Sequence, residues 1–301
     1  MKCLTLSLQL GLTKFPRFTL ISMKYFYTIY LFLILAEVCG QQRNYASESY
    51  HRYLNTVLKP NPDFILYNQD LKESIAIKLR FINLTTDLKK EQLSNQVLRL
   101  NQDFSNFTFE NSNKPSAQYK QLAVDTQIRF SEKFEINDYE IPKILDFALS
   151  LELAEKHKSI YPDEVLVFIY ENNGLAGYAQ TPEFPKETEA IFINKNYLMG
   201  STENKYDLGK TLTHLMGSFL GLGELWDCKD DGVADTPKMT VQHQTNDDSW
   251  SACYNYVVPT MYQNFMYNAP DEHLNMFTTG QKNKMLSVIA SQKAHLIQNH
   301  K

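Results

Sequence analysis

The residues best placed for chemistry lie in one stretch, Thr211-Leu-Thr-His-Leu-Met-Gly-Ser-Phe-Leu-Gly-Leu-Gly-Glu224. Two histidines spaced i and i+4 on a helix share a face and can hold zinc. A glutamate directly after the first then takes a proton from the metal-bound water. In this stretch His214 fills the first ligand position and Leu215 stands where the general base would be. Ser218 stands at the second ligand position and Glu224, past the turn glycine Gly221, at the third. A neutral hydroxyl competes badly with imidazole for a metal, and leucine accepts no proton. One imidazole and one carboxylate fall short of the three protein ligands of a catalytic zinc site. Taken alone, the stretch reads as a buried helix carrying a core histidine.

Those positions need a helix and a body to hold it. Asp207 is expected to cap a helix running to about Leu222, with Leu208, Leu212, Met216 and Phe219 along one side. Upstream, Ile75–Ile82 alternates apolar and polar residues and reads as a strand. Asp87 is expected to cap a helix whose buried face holds Leu93, Val97, Leu100 and Phe104. Thr126–Phe130 is a second strand, and Pro142 opens a helix through Leu145, Leu149 and Leu153 to about His157. Val165–Tyr170 is a continuous apolar run, as for a strand buried on both faces. Asn172-Asn-Gly174 forms a turn, Gly177–Gln180 a short edge strand and Ala190–Asn194 another strand. Helices and strands alternate, which predicts a layered α/β sandwich. After Gly223 the chain reads as irregular up to Met266, and a last helix begins near Thr279 and includes Met285, Leu286, Ile289 and Leu296.

The 301 residues carry a formal net charge of −4 and no basic stripe, which argues against a nucleic-acid partner. Lys24, the apolar run Tyr25–Ala36 and the small residues before Gln41 have the order of a secretory signal peptide. That run is short for a membrane span, so no stable span is expected after its removal. The organisation is therefore an upstream extension over 1–22, a signal peptide over 23–40, a linker or pro-segment over 41–72 and the folded domain over 73–301. Secretion to an extracellular or periplasmic space follows. Cys228 and Cys253 remain after signal removal, and an oxidising compartment favours a bridge between them over a pair of buried thiols. Asn83-Leu-Thr85 and Asn106-Phe-Thr108 match glycosylation acceptors. There is no G-x-S-x-G elbow, and neither of these cysteines has an assignable histidine.

Further landmarks surround the helix. In order they are Leu175-Ala-Gly-Tyr-Ala-Gln180, Tyr206-Asp-Leu-Gly-Lys-Thr-Leu-Thr-His214 and Asp231-Gly-Val-Ala-Asp-Thr-Pro237. Asn264-Phe-Met266, Leu274-Asn-Met-Phe-Thr-Thr-Gly-Gln281 and Met285 follow. Over roughly residues 75–290 the chain resembles the pappalysin/ulilysin-like (cytophagalysin-type) metzincin metalloproteases, with a degenerate zinc motif. The resemblance implies an α/β (α+β) fold: a twisted mixed sheet, a backing helix, an active-site helix, and an irregular C-terminal subdomain with a Met-turn and a C-terminal helix. Met266 is the Met-turn candidate. It is followed by Tyr267-Asn268 where the family has Asp-Tyr, and His273 stands where a family cysteine would be.

The resemblance implies zinc endopeptidase activity in relatives, while the replaced base and ligands point to a pseudoprotease that binds a peptide or protein in the old cleft, with no cofactor. Two alternatives stay open. One is an active enzyme with zinc on His214, Glu224 and a residue such as His243 or His273. The other is a calcium-binding structural module built on Asp230, Asp231 and Asp235, in a region where the family can bind calcium.

Overall fold

A computed structural model describes residues 74–111, 119–140, 145–172, 174–201, 205–240, 250–253 and 256–298. These all lie in the unit Arg43–Lys301. The expected signal peptide and the 41–72 segment lie outside the described residues, as do Pro142 and His243.

The apolar run expected as one strand divides at Lys78 into β1 (Ile75–Ile77) and β2 (Leu79–Asn83). Each half has its own partners. β1 pairs in parallel with β3 (Ile128–Phe130). β2 lies in parallel between β4 (Glu135–Asp138) and β5 (Val165–Tyr170). The five-stranded sheet runs β4-β2-β5-β7-β6, with β7 spanning Ile191–Asn194 and β6 spanning Gly177–Ala179. β6 alone is antiparallel and forms one edge.

Side chains alternate across this sheet as the pleat requires. Val165, Val167, Ile169, Ile191 and Ile193 face one core. Leu166, Phe168, Tyr170 and Phe192 face another. Helix α1 (Lys90–Phe104) contributes Leu93, Val97, Leu100 and Phe104 to the first core. After the single turn α2 (Phe107–Glu110), α3 (Phe147–Ile160) contributes Leu153 and Ala154 to the second. Helix, sheet and helix thus form three layers. Each fully buried aliphatic or aromatic side chain contributes about 1.5–3 kcal/mol to holding them.

Several expected helix starts move. Asp87 adopts φ 65°, and α1 begins at Lys90 behind Lys89, which makes no side-chain cap. Asp146 caps α3 by accepting from Leu149 N at 2.8 Å. The helix of chemical interest, α4 (Lys210–Phe219), follows Gly209 at φ 83° rather than Asp207. Its capping carboxylate is Asp271, whose Oδ2 accepts from Leu208 N at 3.0 Å and Lys210 N at 3.2 Å. α4 also ends at Phe219, earlier than expected.

Beyond α4 the chain is irregular, as expected, apart from one unforeseen hairpin, β8 (Trp250–Cys253) with β9 (Tyr256–Pro259). Cys228 and Cys253 form a disulfide joining the loop after α4 to β8. Helix α5 (Thr279–Gln292) opens with a reciprocal capping box between Thr278 and Gln281. Leu296 falls beyond it in a short 3-10 turn, still fully buried. Ile297 then bridges to Ile77, and Gln298 N donates to Ala76 O at 2.9 Å. Among the described residues no helix is long and apolar enough to cross a membrane.

Candidate functional site

Helix α4 is positioned by polar bonds at its start. Lys210 Nζ pairs with Asp103 Oδ1 of α1 at 2.6 Å, with both side chains almost fully buried. Thr213 donates to Asp103 Oδ2 at 2.6 Å, and Thr108 donates to Oδ1 at 2.6 Å. At the other end Lys293 Nζ lies 4.0 Å over the Phe219 ring. Lys293 in turn meets Glu189 Oε1 at 2.6 Å, while Glu189 Oε2 faces His295 Nε2 at 3.1 Å and Lys158 Nζ at 3.5 Å. Burial pulls the Lys293 and Lys158 ammonium groups and the His295 imidazole below their usual ranges, against the pull of Glu189.

His214 is buried in the middle of α4. Its Nδ1 faces the Phe265 carbonyl at 2.9 Å. A carbonyl only accepts, so Nδ1 donates to it. Trp226 stacks beside the imidazole at 6.1 Å between centroids and 18° between planes. Ser218, one turn on and on the same face, is half-buried. Glu224 follows the turn at Gly221 (φ 91°) and lies 3.9 Å from Lys229 Nζ.

Leu215 is 2% exposed and belongs to the sheet-facing core. It packs directly beneath the edge strand. A methyl group at Gly177 of β6 would come within 2.6 Å of Leu215 Cδ1, so glycine there permits the close approach. Gly217 does the same for the turn below, where an added methyl would lie 2.6 Å from Met266 Sδ. Met266 N donates to Asn264 Oδ1 at 2.9 Å, and Met266 O accepts from Leu225 N at 3.1 Å. Asn264 and Gln281 exchange two amide bonds of 2.8 and 3.0 Å, which ties this turn to the cap of α5. Tyr267, next along, is fully buried.

The three aspartates of the 230–235 loop are engaged by protein donors. Asp230 takes Gly232 N at 2.9 Å and pairs with Lys238 at 2.7 Å, which lowers its pKa. Asp231 takes the Thr236 hydroxyl at 2.8 Å and Val233 N at 3.2 Å. Burial pushes its carboxyl above the usual range, and the Lys284 ammonium bonds its carbonyl. Asp235 takes the Thr278 hydroxyl at 2.7 Å and Gly280 N at 2.8 Å, fastening the loop to the start of α5.

The donor set around α4 does not fit a catalytic zinc ion. His214 supplies one imidazole, but Leu215 and Ser218 add no ligand. Among the described residues no group of three His, Cys, Asp or Glu side chains is gathered as a metal would need. His273, a candidate third donor, faces Glu272 at 3.4 Å and the edge of Tyr262. Two residues that position the site escaped the sequence reading. Trp226 flanks His214, and Asp103 anchors the helix through Lys210. Asp103 had no signal of its own, since it lies beside Phe104 on a helix read only for its apolar face.

Residues 155–290 match a peptidase family model described as pregnancy-associated plasma protein-A. An extracellular metalloprotease of Arthroderma benhamiae is 31% identical over 140 residues, 43% of this chain and 51% of its own. The chain thus spans about half the length of that curated relative. A structure of mirolysin in complex with a small compound superposes with a TM-score of 0.64 at 21% identity, over 75% of this chain and 97% of mirolysin. Mature mirolysin of Tannerella forsythia in complex with a cleaved peptide gives 0.62 at 20% identity, over 76% and 100%. The fold is that of mirolysin. Over residues 155–290 the chain is thus similar to that peptidase family and to extracellular metalloproteases.

Proposed function

We propose that this protein is secreted and acts by holding a peptide or protein segment beside α4, without zinc-dependent hydrolysis. Leu215 carries the proposal. The side chain in the general-base position is a buried leucine packed against Gly177, and leucine accepts no proton. His214, Ser218 and Glu224 are then vestiges of a zinc site.

Other observations support parts of this reading. β6 is the outer strand of the sheet, so one row of its backbone groups has no strand partner in it. An extended peptide can add to such an edge. Mirolysin, of the same fold, is known with a cleaved peptide bound. The related proteases are described as extracellular, and the Cys228–Cys253 bridge suits an oxidising compartment.

Zinc content of the purified protein, measured beside cleavage of a peptide library, tests the proposal. The expected result is neither stoichiometric zinc nor chelator-sensitive cleavage; both together would overturn it. The Phe265 carbonyl holding His214 Nδ1 favours the second reading, an active enzyme with zinc on His214, Glu224 and a third donor. Chelator-sensitive cleavage abolished by His214→Ala would establish it.

A further inference from the structure

We infer that Asn106 is an N-glycosylation site and that the chain's other acceptor sequence, at Asn83, does not carry a glycan in the folded protein. The inference rests on secretion, as proposed above, through a compartment holding a lipid-linked oligosaccharide diphosphate. In the transfer, the asparagine Nδ2 bonds to the anomeric carbon of the sugar. The bond from that carbon to the lipid diphosphate breaks, the diphosphate leaves, and Nδ2 loses one proton. Transfer needs the Asn-x-Thr sequence, and the folded state must then leave room for a bulky group on Nδ2.

The two asparagines differ at that atom. Asn83 closes β2 and is 7% exposed. Its Nδ2 donates to Asp138 Oδ1 of the neighbouring strand β4 at 2.7 Å. Its Oδ1 accepts from Thr85 N at 3.0 Å and the Thr85 hydroxyl at 2.8 Å. A sugar on this nitrogen would have to sit against Asp138 in the seam between β2 and β4.

Asn106 lies at the junction of α1 and α2 with φ 66°, half-buried. Its carbonyl accepts from Phe109 N and Glu110 N, both at 3.1 Å, so its main chain is fixed. Its Oδ1 is buried without a hydrogen-bond partner, and among the described residues no hydrogen bond ties Nδ2. The nitrogen that would bear the sugar is therefore not held in a strand seam as it is at Asn83. Phe107, the middle residue of the acceptor sequence, is 49% exposed beside it and leaves open surface for the first sugar to cover.

The test is secretion of the full chain from an N-glycosylating eukaryotic cell line, once behind its own leader and once behind a host leader. Release of glycans by an amidase in heavy-oxygen water marks each occupied asparagine as labelled aspartate. The expected map marks Asn106 and leaves Asn83 unmarked. Asn106→Gln should abolish the glycan-dependent mass shift, Asn83→Gln should leave it, and Thr108→Ser should retain it. Secreted protein unmarked at Asn106, or marked at Asn83, would overturn the inference, and the wild-type map decides this even where a variant fails to fold. Retention behind the native leader with a marked Asn106 behind the host leader would count against the secretion reading alone.

Discussion

At its first turn α4 carries Lys210 and Thr213, both buried and both bonded to Asp103. At its last turn and beyond it carries Ser218 and Glu224, half-buried, with Glu224 only 3.9 Å from a lysine. The first group holds the helix, and the second stands at the positions proposed above as vestiges of a zinc site. Removing a partner from the first leaves a buried charge unpaired, whereas changing the second leaves the core intact. These anchoring contacts of the helix involve neither Ser218 nor Glu224. Leu215 shows the same separation within one helix turn, because it serves the core from the position proposed above as that of the lost base.

The sharpest way to break this comparison is at Asp103. Asp103→Ala removes the buried carboxylate that Lys210 pairs with and should destabilise by about 3–5 kcal/mol in denaturant unfolding. A loss no larger than that of Ser218→Ala would refute the division of labour. Replacing both Cys228 and Cys253 by alanine should cost about 3–4 kcal/mol by the chain-entropy argument for a separation of 25 residues. Scanning calorimetry of oxidised and reduced wild type checks this value.

Leu215→Ala should cost about 3 kcal/mol through a cavity beneath β6, whereas Leu215→Met should cost less than about 1.5 kcal/mol. Equal tolerance of both would mean that the side chain faces open space.

A smaller effect is expected with acid. Burial chiefly holds His157 and His295 below the usual histidine range. The unfolded chain therefore takes up protons first as pH falls, so stability is full above that range and declines from it towards the lower folded values. His295→Gln should flatten part of the decline in a pH series of unfolding midpoints. Ser218→Ala should change stability by no more than about 0.5 kcal/mol, and this near-silence completes the contrast with Asp103.

The sheet was the more legible part of the sequence. Val165–Tyr170 and Ile191–Asn194 are dense apolar runs, and their burial on both faces is what such runs predict. The short edge strand β6 was also visible from its flanking turn. The division at Lys78 was hidden, because pairing partners change there without any break in the apolar pattern. β4 escaped because its burial is only partial. Asp207 was a plausible local cap for α4, but a distant aspartate does the work, and local signals carry no information about that. In the site, the spacing of His214, Leu215, Ser218 and Glu224 was legible as a degraded motif. The stacking of Trp226 on His214 and the bond to the Phe265 carbonyl depend on how the irregular segment returns, which periodicity does not encode.

The Asp271 cap has a consequence for how the chain acquires its structure. Its carboxylate reaches Lys210 N across 61 residues, and Phe265 reaches His214 across 51. Closing loops of that length carries an entropy cost before any reward, which slows folding. Helix α4 therefore gains its final shape only when the segment after it has been made and has folded back. Until then its apolar face, Leu212, Leu215, Met216 and Phe219, lacks its full cover. During synthesis this helix therefore waits on the segment that follows it.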